Sequence, residues 1–217
     1  MKQSNIPHEA NLTLLPAITI HGRFQPPVHV NHWRYINEGF KRAQHVTILI
    51  TNPFNTEGYD SAASWRSDPA NNPFSFEERA FMFRKLLDTT GIDSSRYEIK
   101  PFNIKDSRSF DDLDPTTPNL VNVYSEWSEK KVALFAEHGL KVIKLDMPKH
   151  VPVSGTLIRE IISTHEGTVD SLSTRLVSAG FMPDAVPGLL HVLDSQHWQE
   201  FDKNNQKKVI HQRLGSN

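Results

Sequence analysis

Short apolar runs alternate with amphipathic stretches along the first two thirds of the chain. Residues 17–21 form an apolar run that ends at Gly22, which is typical of a buried parallel strand. Between residues 30 and 43, apolar side chains recur at spacings of three and four, which predicts an amphipathic helix. The β-branched run at residues 45–51 predicts a second strand. Together these segments predict a βαβ unit, whose crossover should be right-handed.

The same alternation continues to residue 163. A helix is predicted from Phe76 to Leu87, because Ser75 can act as its N-cap and Glu78 stands at the capping-box spacing. Further strands are predicted at residues 97–102, 120–124 and 141–145, further helices at residues 128–138 and 154–163, and polar loops at residues 52–74 and 103–118. This alternation predicts an α/β fold with a doubly wound, Rossmann-like parallel sheet of about five strands. Ligands of such sheets bind beyond the carboxyl ends of the strands, near the point where strand order reverses.

The pattern divides the chain into three parts. Residues 1–15 are polar and predicted to be a flexible arm, residues 16–164 form the α/β domain, and residues 165–217 form a small helical C-terminal extension. The amino terminus lacks the basic start and apolar centre of a secretory signal, and no apolar run reaches the ~20 residues that span a bilayer. The chain contains no cysteine, which excludes disulfides and cysteine-bound zinc. We therefore expect a cytoplasmic protein without a membrane partner.

Charge argues against a nucleic-acid partner. The formal net charge is −1, from 24 Lys and Arg against 25 Asp and Glu, and no long basic run is present. General nucleic-acid binding needs a dense cationic face that displaces counterions from the phosphate backbone. The sequence leaves open whether the chain forms a homo-oligomer.

Two histidines mark the start of the helix that follows the first strand. His29 and His32 are three residues apart, so both imidazoles can share one helix face. A helix N-terminus presents free N–H groups and a partial positive charge to an anion, and Arg23 adds a planar donor fork. One alternative is that the histidines are ordinary surface or core residues. Another is a metal pair, but no third ligand stands at a recognisable spacing. The combination with Arg23 favours phosphate binding.

A second segment has the same chemistry 121 residues after His32. Ser154 or Thr156 can cap a helix, and Gly155 allows backbone amides to approach an anion closely. Arg159 stands three residues after Thr156, so its guanidinium can close over the same anion. The alternative is an ordinary capped helix with a surface arginine. The two segments together favour a phosphate site.

Three motifs carry a resemblance to a known family. GRFQPPVHVNH at residues 22–32 resembles the (H/T)xGH signature of the nucleotidylyltransferase superfamily, in the GRFQP form of archaeal-type nicotinamide-nucleotide adenylyltransferases. VSGTLIR at residues 153–159 resembles the ISxTxxR motif, and NNPFSFEER at residues 71–79 is similar to the NPF…ER segment. The resemblance covers residues 17–163. In two places the chain departs from it: Asn31 replaces the usual glycine, and the loop before His29 is one residue longer.

The resemblance implies a reaction in which the phosphate of an acceptor attacks the α-phosphorus of a nucleoside triphosphate and expels pyrophosphate. It implies Mg²⁺ bridging phosphate oxygens, with no protein residue predicted as a metal ligand. His29 and His32 would hold α- and β-phosphate oxygens, and Arg23 and Arg159 complete the catalytic set. The predicted nucleotide-binding residues are Gly22, Arg23, Phe24, Gln25, His29, His32, Ser154, Gly155, Thr156 and Arg159.

The second substrate, a phosphorylated small molecule, is predicted from aromatic and polar residues. The predicted acceptor-binding residues are Asn52, Asn72, Phe74, Arg79 and Trp127, with Trp65, Asn71 and Tyr124 as further candidates. Aromatic rings could stack on a nicotinamide, although such residues commonly belong to the core or rim. The leading hypothesis is an adenylyltransferase of NAD biosynthesis that joins ATP to nicotinamide or nicotinate mononucleotide. The alternatives are a CTP-dependent cytidylyltransferase acting on a phosphorylated alcohol or phosphonate, and a non-catalytic nucleotide-sensing module.

Overall fold

A parallel sheet of five strands forms the centre of the fold. The computed structural model describes residues 13–26, 28–53, 71–147 and 152–195. The strands in these ranges are β1 (Leu15–Gly22), β2 (Ala43–Thr51), β3 (Tyr97–Phe102), β4 (Asn119–Asn122) and β5 (Val142–Leu145). All pairings are parallel, in the order β3-β2-β1-β4-β5. The predicted doubly wound sheet is confirmed, and its strand order reverses between β1 and β4.

Helices connect and cover the strands. Those in the described ranges are α1 (Val30–Arg42), α2 (Phe76–Thr89), α3 (Arg108–Asp111), α4 (Glu126–Glu137), α5 (Gly155–Ser163), α6 (Val169–Ser178) and α7 (Val186–Leu193), with short 3-10 helices at Ser94–Arg96 and Pro183–Ala185. The amphipathic pattern of α1 is confirmed, since its buried face carries Tyr35, Ile36 and Phe40. The capping box of α2 is also confirmed, because the Ser75 and Glu78 side chains each bond the other's backbone N–H.

Three elements differ from the sequence prediction. The polar loop at residues 103–118 contains α3, whose four residues are too few to show a periodicity. Helix α4 begins at Glu126 rather than at residue 128, because Ser125 is its N-cap and the Ser125 hydroxyl accepts the N–H of Ser128 at 3.3 Å. The preceding strand β4 ends at Asn122, so Tyr124 lies in the connection and is exposed.

The helices after residue 164 share the hydrophobic core of the sheet domain. Leu176 and Leu189 are fully buried in the same cluster as Ile20 and Phe83. The backbone of the connection between α6 and α7 also pairs with the loop before α1: Val30 N–H donates to the Gly180 carbonyl at 2.9 Å, and Met182 N–H donates to the Val28 carbonyl at 3.2 Å. The predicted helices are confirmed as far as residue 195, and the rest of the predicted extension, residues 196–217, lies outside the described residues. The division of the chain at residues 15 and 164 stays a prediction.

Among the helices of the described ranges, none has both the length and the hydropathy that crossing a bilayer requires.

Candidate functional site

A cavity of about 360 Å³ lies at the carboxyl ends of β1 and β4, where strand order reverses. Its size is within the range of small-molecule sites. The walls come from the ends of the strands and from α1, α4 and α5. The basic residues that line it within the described ranges are Arg23, Arg34, Lys131 and Arg159, with His21, His29 and His32, and no aspartate or glutamate lines it there. This lining suits an anionic ligand.

Strand β1 ends at a glycine, where a larger residue would force the Phe24 ring to shift. A Cβ atom on Gly22 would lie 2.6 Å from the Phe24 ring. Phe24 itself has a φ of +51° and is buried, with its ring edge-on to His32 and Phe83 at centroid distances of 5.1 and 5.0 Å. Phe24 was predicted to bind nucleotide. It borders the cavity, but its main contacts support His32 from beneath.

Gln25 ties this loop to the segment before α2. Its Nε2 donates to the Phe74 carbonyl at 2.7 Å, and its Oε1 accepts the Phe74 N–H at 3.1 Å. Gln25 was also predicted to bind nucleotide. It borders the cavity, and its side-chain amide holds Phe74.

The two histidines of the first motif stack against each other at the start of α1. Their ring centroids are 3.6 Å apart, and His29 is the N-cap, whose Nδ1 accepts the N–H of His32 at 3.4 Å. Burial, followed by the charges of His29 and Arg23, holds the pKa of His32 well below its ordinary value. At neutral pH His32 is therefore a neutral imidazole with one donor and one acceptor nitrogen. Its Nδ1 has no partner in the described structure.

The residue before His29 has an unusual backbone conformation. Val28 is fully buried and has a φ of +77°, which a β-branched residue rarely adopts. Its carbonyl is held by the N–H of Met182, and an antiparallel bridge joins His29 to Phe181. Asn31 donates to the Val153 carbonyl at 3.4 Å. Asn31 thus links α1 to the residues that precede α5.

The second motif meets the first at the backbone of Gln25. Arg159 donates to the Gln25 carbonyl at 2.5 Å, to Thr156 Oγ1 at 3.1 Å and to Asn71 Oδ1 at 2.9 Å. A Cβ atom on Gly155 would lie 2.2 Å from the same carbonyl oxygen, so only glycine allows this approach. Burial, with a smaller effect of Arg23, lowers the pKa of Arg159 to about 10. Arg159 therefore remains a cation at neutral pH.

The N-terminus of α5 is capped by a neutral side chain. The Ser154 hydroxyl accepts the N–H of Leu157 at 3.2 Å, and no acidic residue lies in the first turn. Ser154, Gly155 and Thr156 all line the cavity. The structure thus brings the predicted residues of both phosphate motifs to one space.

The predicted acceptor residues mostly lie beneath the cavity and not in it. Arg79 has no exposed surface, because its guanidinium donates to the carbonyls of Arg23, Thr51, Asn52 and Ser75 at 2.7–3.1 Å. Phe74 is in the hydrophobic core, and Asn52 is fully buried. None of the three lines the cavity, and Arg79 holds backbone carbonyls instead, so their predicted contact with the acceptor stays a prediction without support from this geometry.

Asn72 and Trp127 keep a connection with the cavity. Asn72 Oδ1 accepts from Asn52 Nδ2 at 3.3 Å and from Arg23 Nη1 at 3.4 Å, so it orients a cation of the lining. Trp127 lines the cavity from α4, as does Tyr124 from the preceding connection. Trp65 lies outside the described residues.

Sequence reasoning missed several lining residues, above all His21 and Lys131. His21 ends the apolar run of β1 and was taken as part of a buried strand. A usable signal was present on α4, where Trp127, Lys131 and Phe135 recur every fourth residue and so share one helix face. The His21 ring stacks on the ring of Phe135 with centroids 4.4 Å apart and an interplanar angle of 13°.

Comparison with known proteins identifies the fold. No protein-family model matches the sequence, and no curated protein matches it. A bifunctional NMN adenylyltransferase/ADP ribose pyrophosphatase from Francisella tularensis has a similar structure, with a TM-score of 0.64, 20% identity and coverage of 92% of this chain and 56% of that chain. The same enzyme complexed with AMP and an Mn ion gives a TM-score of 0.64, 21% identity and the same coverage.

A complex of NadR protein with NAD and AMP-PNP matches less well, with a TM-score of 0.42, 16% identity and coverage of 69% of this chain and 43% of that chain. The chain spans only about half of the length of the Francisella tularensis enzyme, 56%. At these identities the likeness establishes a shared α/β fold.

Proposed function

We propose that the chain is a nucleotidylyltransferase that transfers the adenylyl group of ATP to nicotinamide or nicotinate mononucleotide, releasing pyrophosphate. The observation that carries this proposal is the lining of the cavity. Its described residues include four Arg and Lys side chains and three histidines, and no Asp or Glu. Two helices, α1 and α5, begin at this space without acidic residues in their first turns. Free helix N-termini and cationic side chains are the groups that bind phosphate oxygens.

The proposed reaction requires the protein to position the substrates and to stabilise charge, because the nucleophile is the acceptor's own phosphate. An oxygen of the acceptor's phosphate forms a bond to the α-phosphorus, the bond from that phosphorus to the bridging oxygen breaks, and pyrophosphate leaves with the electron pair. Negative charge grows on the phosphate oxygens as this happens, so donors aimed at them lower the barrier. His29 and His32 would serve at the α-phosphate, because their stacked rings are already fixed at the helix start.

Bound polyphosphate also acts on the proton equilibrium of His32. Burial and neighbouring cations lower its pKa in the ligand-free chain, and a polyanion beside the ring opposes both charges. Nucleotide binding would thus raise the pKa of His32 and favour an imidazolium at the reacting phosphate. Proton uptake would accompany binding at pH values between the lowered pKa of His32 in the free chain and its raised pKa in the complex.

Arg23, Arg159 and the start of α5 would hold the departing pyrophosphate. Arg159 is oriented in advance by Gln25 and Thr156, so little rotamer freedom is lost when an anion binds. Arg23 is oriented by Asn72. Arg23 and Arg159 would thus form a pre-organised pair of cations for the pyrophosphate, although burial and, to a smaller extent, Arg23 lower the pKa of Arg159.

The reaction is expected to need a divalent ion, and the described residues of the cavity wall offer it no carboxylate ligand. No cluster of three potential metal ligands occurs in the described ranges, and the lining there has no aspartate or glutamate. Mg²⁺ would therefore enter held by the phosphate oxygens of the nucleotide, which matches its preference for phosphate and water ligands.

Pyrophosphate release tests the proposal directly. ATP and CTP would each be supplied with nicotinamide mononucleotide, nicotinate mononucleotide and a phosphorylated alcohol, in the presence of Mg²⁺. We expect release with ATP and a pyridine mononucleotide. Strict dependence on CTP would replace this proposal with a cytidylyltransferase, and nucleotide binding without release from any pair would replace it with a nucleotide-sensing module.

A further inference from the structure

His21 is buried in the cavity wall with both ring nitrogens unpartnered. Only 1% of its surface is exposed, and neither Nδ1 nor Nε2 has a hydrogen-bond partner in the described structure. Polar atoms removed from water without a partner cost free energy, and proteins rarely retain them without a purpose. Because His21 lines the cavity but neither ring nitrogen has accessible surface, a ligand can supply the missing partner after a small shift of the ring or of the residues that cover it.

The wall around His21 differs from the phosphate-binding part of the cavity. Its neighbours come from α4, which contributes Trp127 and Lys131 to the lining and Phe135 beneath the His21 ring. The charge that lowers the pKa of His21, after burial, is that of Lys131. The charges that lower the pKa of His32 are those of His29 and Arg23. The two histidines therefore have different charged neighbours.

We propose that His21 is a specificity residue that hydrogen-bonds the base of the acceptor mononucleotide and favours a carboxamide substituent over a carboxylate. This inference rests on the proposed function. A neutral imidazole has one donor and one acceptor nitrogen, a carboxamide likewise offers both, and a carboxylate only accepts. Trp127 on the same wall provides an aromatic surface for a planar base.

Substitution of His21 with three residues of different hydrogen-bonding capacity tests the inference. His21→Phe keeps a ring that can stack on Phe135 and removes both nitrogens. His21→Asn and His21→Gln restore a donor and an acceptor near the positions of Nδ1 and Nε2, respectively. We expect His21→Phe to raise the KM for nicotinamide mononucleotide about tenfold, the effect of one lost buried hydrogen bond, with the KM for ATP unchanged. One of the two amide variants should recover most of this loss.

The preference between acceptors is the second measurement. The wild-type protein should have a lower KM for nicotinamide mononucleotide than for nicotinate mononucleotide. In His21→Phe the ratio of these two KM values should be closer to one. Lys131 offers a competing explanation, because its cation attracts a carboxylate. A wild-type preference for the nicotinate form that disappears in Lys131→Met would overturn the proposal.

Calorimetric binding of nicotinamide mononucleotide without ATP separates this inference from the proposed function. Wild type that binds the mononucleotide through His21 but releases no pyrophosphate would support the inference and refute the reaction. Wild type that turns over, with KM and Kd for the mononucleotide unchanged in His21→Phe, would refute the inference and leave the reaction standing. A thermal unfolding curve for each variant shows that the fold is retained.

Discussion

Helices α2 and α5 begin in the same way but differ in the charge that they place at their N-termini. Both have a serine N-cap, and the hydroxyls of Ser75 and Ser154 each accept the N–H three residues ahead at 3.2 Å. In α2 the first turn contains Glu77 and Glu78, and the Glu78 carboxylate accepts the N–H of Ser75 at 2.8 Å. The first turn of α5 contains no acid. The positive end of α2 is thus neutralised within the chain, whereas that of α5 remains available to an external anion.

The arginine on each helix follows the same division. Arg79 lies one turn into α2 and donates to four backbone carbonyls beneath the cavity. Arg159 lies one turn into α5. It lines the cavity, and 8% of its surface is exposed. In both helices an arginine lies about one turn after a serine N-cap. The arginine of α2 is structural, whereas that of α5 faces the cavity.

The largest effect is expected from removing the structural arginine. Arg79→Met leaves several buried carbonyls without donors, so we expect the free energy of unfolding to fall by about 3 kcal/mol or more. Urea unfolding followed by circular dichroism measures it. Arg159→Met is the matched variant: it should cost about 1 kcal/mol, because Arg159 makes fewer buried bonds, yet abolish pyrophosphate release. Equal losses of stability in the two variants would contradict the distinction.

Removing His32 should act on turnover and not on the fold. His32→Ala takes away a donor at the reacting phosphate, and we expect kcat to fall by about 10²-fold, as for other oxyanion donors. Steady-state pyrophosphate release gives the value. His191→Ala, which alters an exposed histidine on α7, is the control and should retain wild-type kcat. Full activity in His32→Ala would exclude the role given to its ring.

What the sequence predicted correctly was local or periodic. The β1–α1–β2 unit follows from apolar spacing, and the α2 capping box follows from residues three apart. What it could not predict depends on distant contacts. Arg79 appears as a charged residue beside a motif, but the carbonyls of Thr51 and Arg23 that bury it lie 28 and 56 residues away.

The site shows the same limit. The two phosphate motifs could be found because each is a short segment with its own helix N-terminus. His21 could not be assigned, because its position at the end of an apolar strand gives no indication of whether its ring faces a core or a cavity. Phe135, on which it stacks, is on another element. Only the topology, which places β1 beside β4 and α4 behind them, brings these residues together.

A carboxylate introduced at the start of α5 should make it resemble α2. Leu157 occupies the position that Glu78 occupies in α2, so Leu157→Glu creates a capping box there. A negative charge at this place repels triphosphate by about 1–2 kcal/mol, which raises the KM for ATP about tenfold.

Leu157→Gln is the matched control for that variant. Its side chain can form the same capping bond without the charge, and it loses the same leucine contacts. The difference in KM between the two variants therefore isolates the electrostatic effect, and it should shrink at high salt, which screens exposed charges. Equal KM values at low salt would show that no anion binds at the start of α5.

The smallest effect is expected where the C-terminal helices contact the first motif. Met182 donates its N–H to the Val28 carbonyl at 3.2 Å and has a φ of −69°, which proline adopts without strain. Met182→Pro therefore removes this hydrogen bond and also places the proline Cδ against the Val28 carbonyl, and the resulting displacement of the loop before His29 should lower kcat about fivefold. Met182→Ala, which retains the N–H, controls for the lost side chain. If both variants had the same kcat, the bridge between Phe181 and His29 would contribute only to stability, and the histidine would owe its position to α1 alone.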